Sequence, residues 1–356
     1  MATNPLQLQL TTLTPIWTGG ADGKSDRLHV TGIMGSLRWW YEVFVRSVGG
    51  TACDPTEHSC IYDQGKPNDG LCDVCRVFGA TGWARRFKLI ISETSLQQKR
   101  PSASIPGREG NLVFNLSSDH QSSRTQGHRW YLPGEPLAGQ IQLTIIPTAP
   151  LDKENHYLDP NIIGSLLQFI ADRASLGAKP QMGMGIVRLA NRQNLSPLID
   201  HLKGIASSHR NKNVIDEKLP CLQNMFFATL HVKSATESDT FDLKYDLRGM
   251  FRDLKRDDPR YSDELRHTIM GYVNRSDRRG AKIMMSYPYD DGTIRLWGWI
   301  PKGSQSAPTR NNILGEIYHF LEETYQDDFS FWLDYDPEKN GAIASYLEKS
   351  VLKGAE

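Results

Sequence analysis

The chain has 356 residues, of which 39% are hydrophobic and 23% charged. That length allows two or three domains with their own cores, and no apolar run approaches the roughly 20 residues that a membrane-spanning helix needs. Lys and Arg balance Asp and Glu at 41 each, so bulk charge selects no partner.

The opening "MATNPLQLQLTTLTPIW" alternates apolar and polar residues without a basic-then-apolar leader, so a cytoplasmic location is expected. Residues 5–17 read as a strand. The turn-rich "TGGADGKSDRLHVTG" follows, then "IMGSLRWWYEVFVRSV". There Ile33, Leu37, Trp40, Val43, Phe44 and Ser47 repeat at helical spacing, up to a stop at Gly49-Gly50. Trp39 and Trp40 lie ~100° apart on such a helix, so only one of them faces a given pocket.

Residues 51–75 form an insert bearing Cys53, Cys60, Cys72 and Cys75 in the spacing C-x6-C-x11-C-x2-C. The intervening "IYDQGKPNDGL" has no apolar period of its own, so the insert needs a staple. Four thiolates around structural zinc would supply one. Free thiols, or a redox role, are the other readings. His58 could replace Cys60 as a ligand.

"WARRFKLIISE" reads as a strand, which would place Arg86 and Lys88 on one face and Arg85 on the other. Between 76 and 129 there are nine basic residues against three acidic ones, a basic segment that suits either a phosphate-binding groove or a solvated loop surface. The polar stretch 93–128 reads as a long hairpin or mobile loop. "GQIQLTIIP" is an alternating strand, and "PNIIGSLLQFIADRASLG" a helix ended by Gly177. "GIVRLA" is a strand.

After a connector at about 191–223 the order recurs. "FFATLHVKS" is a strand and "YSDELRHTIMGYV" a helix, and "AKIMMSYPYDDGTIRLWGWIP" is a hairpin turning at Asp290-Asp291-Gly292. "NNILGEIYHFLEETY" and "FSFWLDY" close the chain as helix and strand. Strand, helix, strand, strand, helix, strand is the ferredoxin-like order, shared with the RNA-recognition motif. The fold class expected is therefore α+β: two tandem ferredoxin-like (RRM-like) domains, 1–193 and 194–356, with a small zinc-stabilised insertion.

"TPIWTGGADGKSDRLHVTGIMGSLRWWYEVFVRSVGG", "CRVFGATGWARRFKL" and "GAKPQMGMGIV" together resemble the RAMP superfamily of CRISPR-associated proteins. More narrowly, they are similar to the family of the first-numbered subunit in type III-B (Cmr) effector complexes. The resemblance covers most of residues 10–90 and 176–190. It implies a non-catalytic RNA-binding subunit in antiviral defence, at the end of the complex carrying the 3′ part of the crRNA. Other RAMP subunits would adjoin it, and it would help engage target RNA.

The residues give that role a physical form. Gly19 and Gly20 shape the loop. Gly32 and Gly35 leave N–H groups uncovered at the positive end of a helix; Ser36 adds a donor and Arg38 a charge. Gly183 and Gly185 would let backbone approach a sugar-phosphate chain, with Lys179 as counter-charge; of Arg85, Arg86 and Lys88, at least one face of their strand would meet phosphate, a solvated edge being the alternative. A tight loop-to-helix turn and plain packing on the sheet are the competing explanations for the glycines. Met182 and Met184 could meet bases or fill the core.

A rival reading is enzymatic. In related backbone subunits an Asp before the first helix helps cleave RNA with a divalent metal, and here Asp22 holds that place, with Asp26 and His29 behind it. A third is a docking adaptor that uses the acidic residues Asp257, Asp258, Asp263, Glu264, Glu316, Glu322 and Glu323.

Overall fold

The computed structural model describes residues 4–103 except 55, 56 and 58, the pairs 113–114 and 131–132, and residues 134–334 except 153, 210–217, 275–277 and 304–305. His58 and most of the stretch 93–128 lie outside these. The described chain forms two four-stranded antiparallel sheets, each with helices against one face.

The first sheet contains β1 (Leu6–Thr12), β2 (Phe87–Thr94), β3 (Gln140–Pro147) and β4 (Val187–Leu189), in the spatial order β2-β3-β1-β4. β1 pairs with β3 from Leu6↔Ile145 to Thr11↔Gln140. This register stacks Leu8 and Leu10 with Ile141, Leu143 and Ile145 on one buried face, while Gln7, Gln9, Gln140 and Gln142 face outward; the alternation is the period of two that a half-buried strand requires. Helix α1 (Val30–Ser47) covers the apolar face with Ile33, Leu37, Tyr41 and Phe44. A six-residue helix, α2 (Asp73–Phe78), adds Val74, Val77 and Phe78 to the same core. Helix α3 (Pro160–Arg173) starts with Pro160 at its first position and the Asp159 carboxylate accepting from Asn161 N–H at 3.0 Å, a start that satisfies one exposed donor.

The expected helix stop at Gly177 falls elsewhere. α3 ends at Arg173, its cap Ala174 is extended, and the chain runs on to Gly177 without helical turns. Within the supposed connector, α4 (Ser196–Ser208) buries Leu198, Ile199 and Leu202 in the first core, so it packs with the residues that precede 193. Its His201 Nε2 lies 2.7 Å from the Tyr41 hydroxyl, and burial holds the imidazole pKa below its usual value. Unfolded, His201 takes a proton at about 6.5; folded, it does so only at lower pH. Between those values the unfolded state binds more protons, so stability is expected to fall as pH drops below about 6.5. His201→Gln should flatten that part of a pH–melting profile, and an unaltered profile would mean the imidazole is not responsible.

The second sheet contains β5 (Met225–His231), β6 (Ile283–Met285), β7 (Thr293–Trp299) and β8 (Phe329–Asp334), in the order β6-β7-β5-β8. Helices α5 (Glu237–Asp257), α6 (Asp263–Met270) and α7 (Arg310–Tyr325) lie with it. Phe226, Ala228 and Leu230 of β5 pack with Leu243, Leu247, Phe251, Ile313 and Ile317 in a core of their own. Met225, Phe227 and Trp297 belong instead to the first core. Phe227 lies 6.2 Å from Trp40 and 5.8 Å from Phe169, ring centre to ring centre. The outward face of the second sheet therefore rests on helices α1 and α3 of the first unit.

Candidate functional site

The two glycine-bearing segments meet, although more than a hundred residues of chain lie between them. Ser36 Oγ donates to the Gly177 carbonyl at 3.1 Å and accepts from Gly177 N–H at 2.8 Å. Ala178 N–H donates to Trp17 O, and Gly185 N–H to Pro15 O. Residues 176–185 are thus seated on the second turn of α1 and on the segment that leads to the 18–29 loop. That loop is tied to itself: Thr18 Oγ1 accepts from His29 N–H and donates to Arg27 O, while Ser25 Oγ accepts from Thr18 N–H. The N-cap of α1, His29, makes no side-chain cap and the first turn holds no acidic residue, so the first N–H groups of the helix receive no side-chain acceptor from the cap.

The glycines divide by environment. Gly35 is exposed, and a Cβ there would meet nothing within 4 Å. Gly32 has the loop-to-helix role, since a Cβ would sit 2.9 Å from Thr18 Cβ. Gly19 and Gly20 lie within the folded loop, Gly20 against the His29 ring. Gly183 and Gly185 are buried, with φ of +88° and +94°. A Cβ would lie 2.6 Å from the Tyr287 ring at the first and 2.2 Å from Leu176 O at the second. Their backbone is taken up by packing: Gly183 O accepts from Tyr287 N–H, and Gly185 O from Leu176 N–H. Met182 and Met184 fill a small core with Trp17, Phe241 and Tyr287, which answers the question left open for them. Gly185→Ala combines a left-handed backbone with a clash, so a loss of ~2 kcal/mol or more is expected in denaturant unfolding; a neutral change would contradict this packing.

Among the cationic candidates, Lys179 keeps its ammonium 5.0 Å from the centre of the Trp17 ring, half-buried, and burial lowers its pKa. Arg85 and Lys88 are exposed. Arg86 is buried, with its guanidinium 3.4 Å above the Trp83 ring. Because β2 begins only at Phe87, the strand alternation expected to pair Arg86 with Lys88 on one face does not reach Arg86. Arg38 turns away from the loop altogether, toward Glu42 and two cysteine sulfurs.

Those sulfurs form the best-defined constellation. The Sγ atoms of Cys53, Cys60, Cys72 and Cys75 all lie within 4.8 Å of one another, and among the described residues no other set of three or more His, Cys, Asp or Glu converges in this way. Tetrahedral zinc with Zn–S of ~2.3 Å spaces its sulfurs by ~3.8 Å, and Cys53 and Cys75 already stand 3.5 Å apart. Backbone N–H groups of Cys72 and Cys75 point at the sulfurs of Cys60 and Cys72, each at 3.4 Å. The donor set fits zinc. A hydrogen bond with Cys75 lowers the Cys72 thiol to about 5 and raises Cys75. Although the insert has no apolar period of its own, Cys53, Leu71 and Cys75 form a small core with Tyr62, Ala80 and Trp83 around them. Sequence reasoning also missed Asp73, whose Oδ2 accepts from Thr51 N–H at 2.6 Å and pairs with His209 at 3.0 Å. Its place directly after Cys72, at the start of α2, was the available signal.

The enzymatic candidates are engaged in local structure. Asp22 Oδ1 accepts from Lys24 N–H at 3.0 Å, closing a turn over Gly23, which is ordinary Asp-Gly behaviour. Asp26 pairs with His29 at 2.9 Å, and that hydrogen bond lowers its pKa. Most of the acidic residues of the adaptor reading have partners within the chain. Asp258 pairs with Arg260, Asp263 with Lys255 and Arg266, Glu264 with Arg279, and Glu323 with His319.

A four-stranded antiparallel sheet under two long helices, with a glycine loop docked on the first of them, defines the class to which the matched region belongs. The family model described as RAMP superfamily matches residues 9–188, just over half of the 356 residues, and the chain belongs to that superfamily. Among solved structures it is similar to Cmr1 from Pyrococcus furiosus in its apo form, at 12% identity, over 89% of this chain and 97% of that one, with a TM-score of 0.44. It is also similar to a chain of the Type III-B Cmr-beta complex bound to cognate target RNA and AMPPnP in the presence of ssDNA, at 12% identity over 88% and 99% of the two chains, with a TM-score of 0.47. A chain of Cmr-beta bound to cognate target RNA gives 12%, 88%, 98% and 0.44. No curated protein matches the sequence. No helix among the described residues is long and apolar enough to cross a membrane.

Proposed function

We propose that this chain is a non-catalytic RNA-binding subunit of a type III-B CRISPR (Cmr) effector complex. In this reading it is cytoplasmic, sits beside other RAMP subunits at the 3′ end of the crRNA, and helps engage target RNA. Each sheet with its helices is read as a ferredoxin-like domain, the first continuing through α4, and the four cysteines as a structural zinc site. RAMP membership and the helix-start motif "GIMGSLRWWYE" support the assignment to this kind of complex.

One observation carries the RNA-binding reading. The Ser36–Gly177 pair joins the uncapped start of α1, the open Gly35 surface and the Lys179 ammonium in a single place. Backbone N–H groups at a helix start, beside a glycine and a cation, suit a sugar-phosphate chain whatever its bases. In this reading Gly19, Gly20, Gly35, Lys179, Arg85 and Lys88 are the contact candidates, while Gly32, Gly183 and Gly185 are taken up by packing and Arg38 and Arg86 by the sulfurs and the Trp83 ring.

Gly35 provides the test. In a helix interior with open space around it, Gly35→Ala should stabilise the fold by ~0.5–1 kcal/mol. If RNA backbone lies against that glycine, the same change should weaken single-stranded RNA binding about fivefold or more, as loss of a contact worth ~1 kcal/mol does. In filter-binding salt titrations, Lys179→Ala should reduce the slope by ~0.7, one phosphate contact on a single strand. Stability without loss of affinity in the first variant, together with an unchanged slope in the second, would place the RNA elsewhere. Asp22→Ala should leave cleavage of target RNA by the assembled complex unaltered; its loss would restore the nuclease reading.

A further inference from the structure

The side chain of Arg38, on α1, points away from the 18–29 loop and into the cysteine cluster. Its Nη2 donates to Cys75 Sγ at 3.3 Å and to Cys53 Sγ at 3.8 Å, its Nη1 to the Gly79 carbonyl at 3.3 Å, and its Nε to Glu42 at 3.0 Å. We propose that Arg38 is the outer-sphere partner of a four-thiolate metal centre: it supplies counter-charge to the sulfurs and locks the centre onto α1. This rests on the zinc reading of the cysteines.

Charge counting supports it from the protein side. The buried Glu42 carboxylate is shared, with Oε1 on Arg38 and Oε2 on Arg46 at 3.2 Å, and Arg46 is itself buried. One carboxylate between two guanidinium groups, the Arg46 one buried and the Arg38 one partly exposed, leaves about one positive charge over, which favours negative charge beside it. Four thiolates on Zn²⁺ carry a net charge of about −2, and two of those sulfurs stand where the surplus lies. The Cys72 and Cys75 N–H groups reach the sulfurs of Cys60 and Cys72, and Arg38 reaches those of Cys75 and Cys53. Every sulfur thus faces an N–H donor, the arrangement that tunes thiolate basicity and fixes ligand orientation. Arg38 is a positioning residue here. Its planar fork serves Glu42 and the sulfurs at once, which a lysine ammonium cannot reproduce in full.

The test uses the full-length chain and its R38Q, R38K and E42Q variants. Zinc affinity is read by competition with a chromophoric chelator, and coordination by the charge-transfer spectrum of the cobalt-substituted protein. Wild type is expected to take one metal with a four-sulfur spectrum. R38Q should bind zinc 10–100-fold more weakly, with R38K in between. E42Q breaks the helix ion pair but leaves Arg38 free for the sulfurs, so it should hold zinc within about threefold of wild type even if it melts earlier. Equal affinity in R38Q and wild type overturns the proposal, as does an equal loss in R38Q and E42Q, which would trace the effect to α1. If R38Q does not fold, R38K against wild type decides on the same terms. Failure of wild type to take up stoichiometric metal would sink the four-cysteine reading itself, an outcome distinct from any difference among variants.

Discussion

Exchanging Cys75 for serine is expected to release the insert and lower the melting temperature by about 5 °C or more, since a structural four-thiolate site contributes several kcal/mol and each kcal/mol moves a chain of 356 residues by ~1–1.5 °C. Cys75 is buried on α2, between Val74 and Val77, which both belong to the first core. Phe78, at the end of the same helix, packs its ring 5.2 Å from Tyr41 and 5.4 Å from Phe87. Six residues are too few to hold a helix in water on their own, so α2 depends on what anchors its first turn. Two anchors are visible: the sulfur cluster, and Asp73 with its bonds to Thr51 and His209. With the cluster gone, the Asp73 contacts alone must keep Phe78 in place. Prolonged dialysis against a chelator should mimic the serine variant, and limited proteolysis should then cut first within residues 51–86. Metal analysis of wild type is expected to return one zinc per chain. A C75S protein that melts with wild type and resists protease equally would show the insert to be held by packing alone.

Periodicity in the sequence reveals strands and helices whose apolar residues recur cleanly, such as β1, β3, α1 and α7, and their order points to the strand arrangement found in both sheets. It is silent about α5, the longest helix at 21 residues. Phe241, Leu243, Leu247, Met250, Phe251 and Leu254 are dispersed there among charged residues and one glycine, and only the packing against β5 reveals the buried stripe. Of the site, the convergence of four cysteines was legible, because it rests on a residue type with few alternatives at that spacing. The fates of Arg38, Arg86, Gly183 and Gly185 were not. Arg38 is decided by Cys53 and Cys75, 15 and 37 positions away, and Arg86 by the start of β2 at Phe87, which leaves its guanidinium over the Trp83 ring. Likewise, the need for glycine at 183 is imposed by Tyr287 from the second unit.

Trp40→Ala is expected to cost ~3–5 kcal/mol, and to weaken both halves of the molecule together. Trp40 is only 3% exposed and links α1 to two other elements: its ring centre lies 4.8 Å from Trp39 on its own helix, 5.4 Å from Phe169 on α3, and 6.2 Å from Phe227 on β5. Phe227 in turn sits opposite Trp297 on one neighbouring strand and Leu333 on the other, so the centre of the outward face of the second sheet closes on α1 and α3. Arg173 adds its guanidinium 4.4 Å above the Phe331 ring on the same face. The centre of the face that an RRM-like sheet would offer to nucleic acid is therefore covered in the second unit, and the proposed RNA contact is assigned to the first. Since the two cores share these aromatic rings, wild type should unfold in denaturant as one transition, whether followed by tryptophan fluorescence or by circular dichroism. Trp40→Ala and Phe227→Ala should each lower the midpoint, and the double variant should lose less than the sum, because the two rings share a contact. Additive losses, or two resolved transitions in wild type, would show that the units fold independently and that the second sheet's face is free to open.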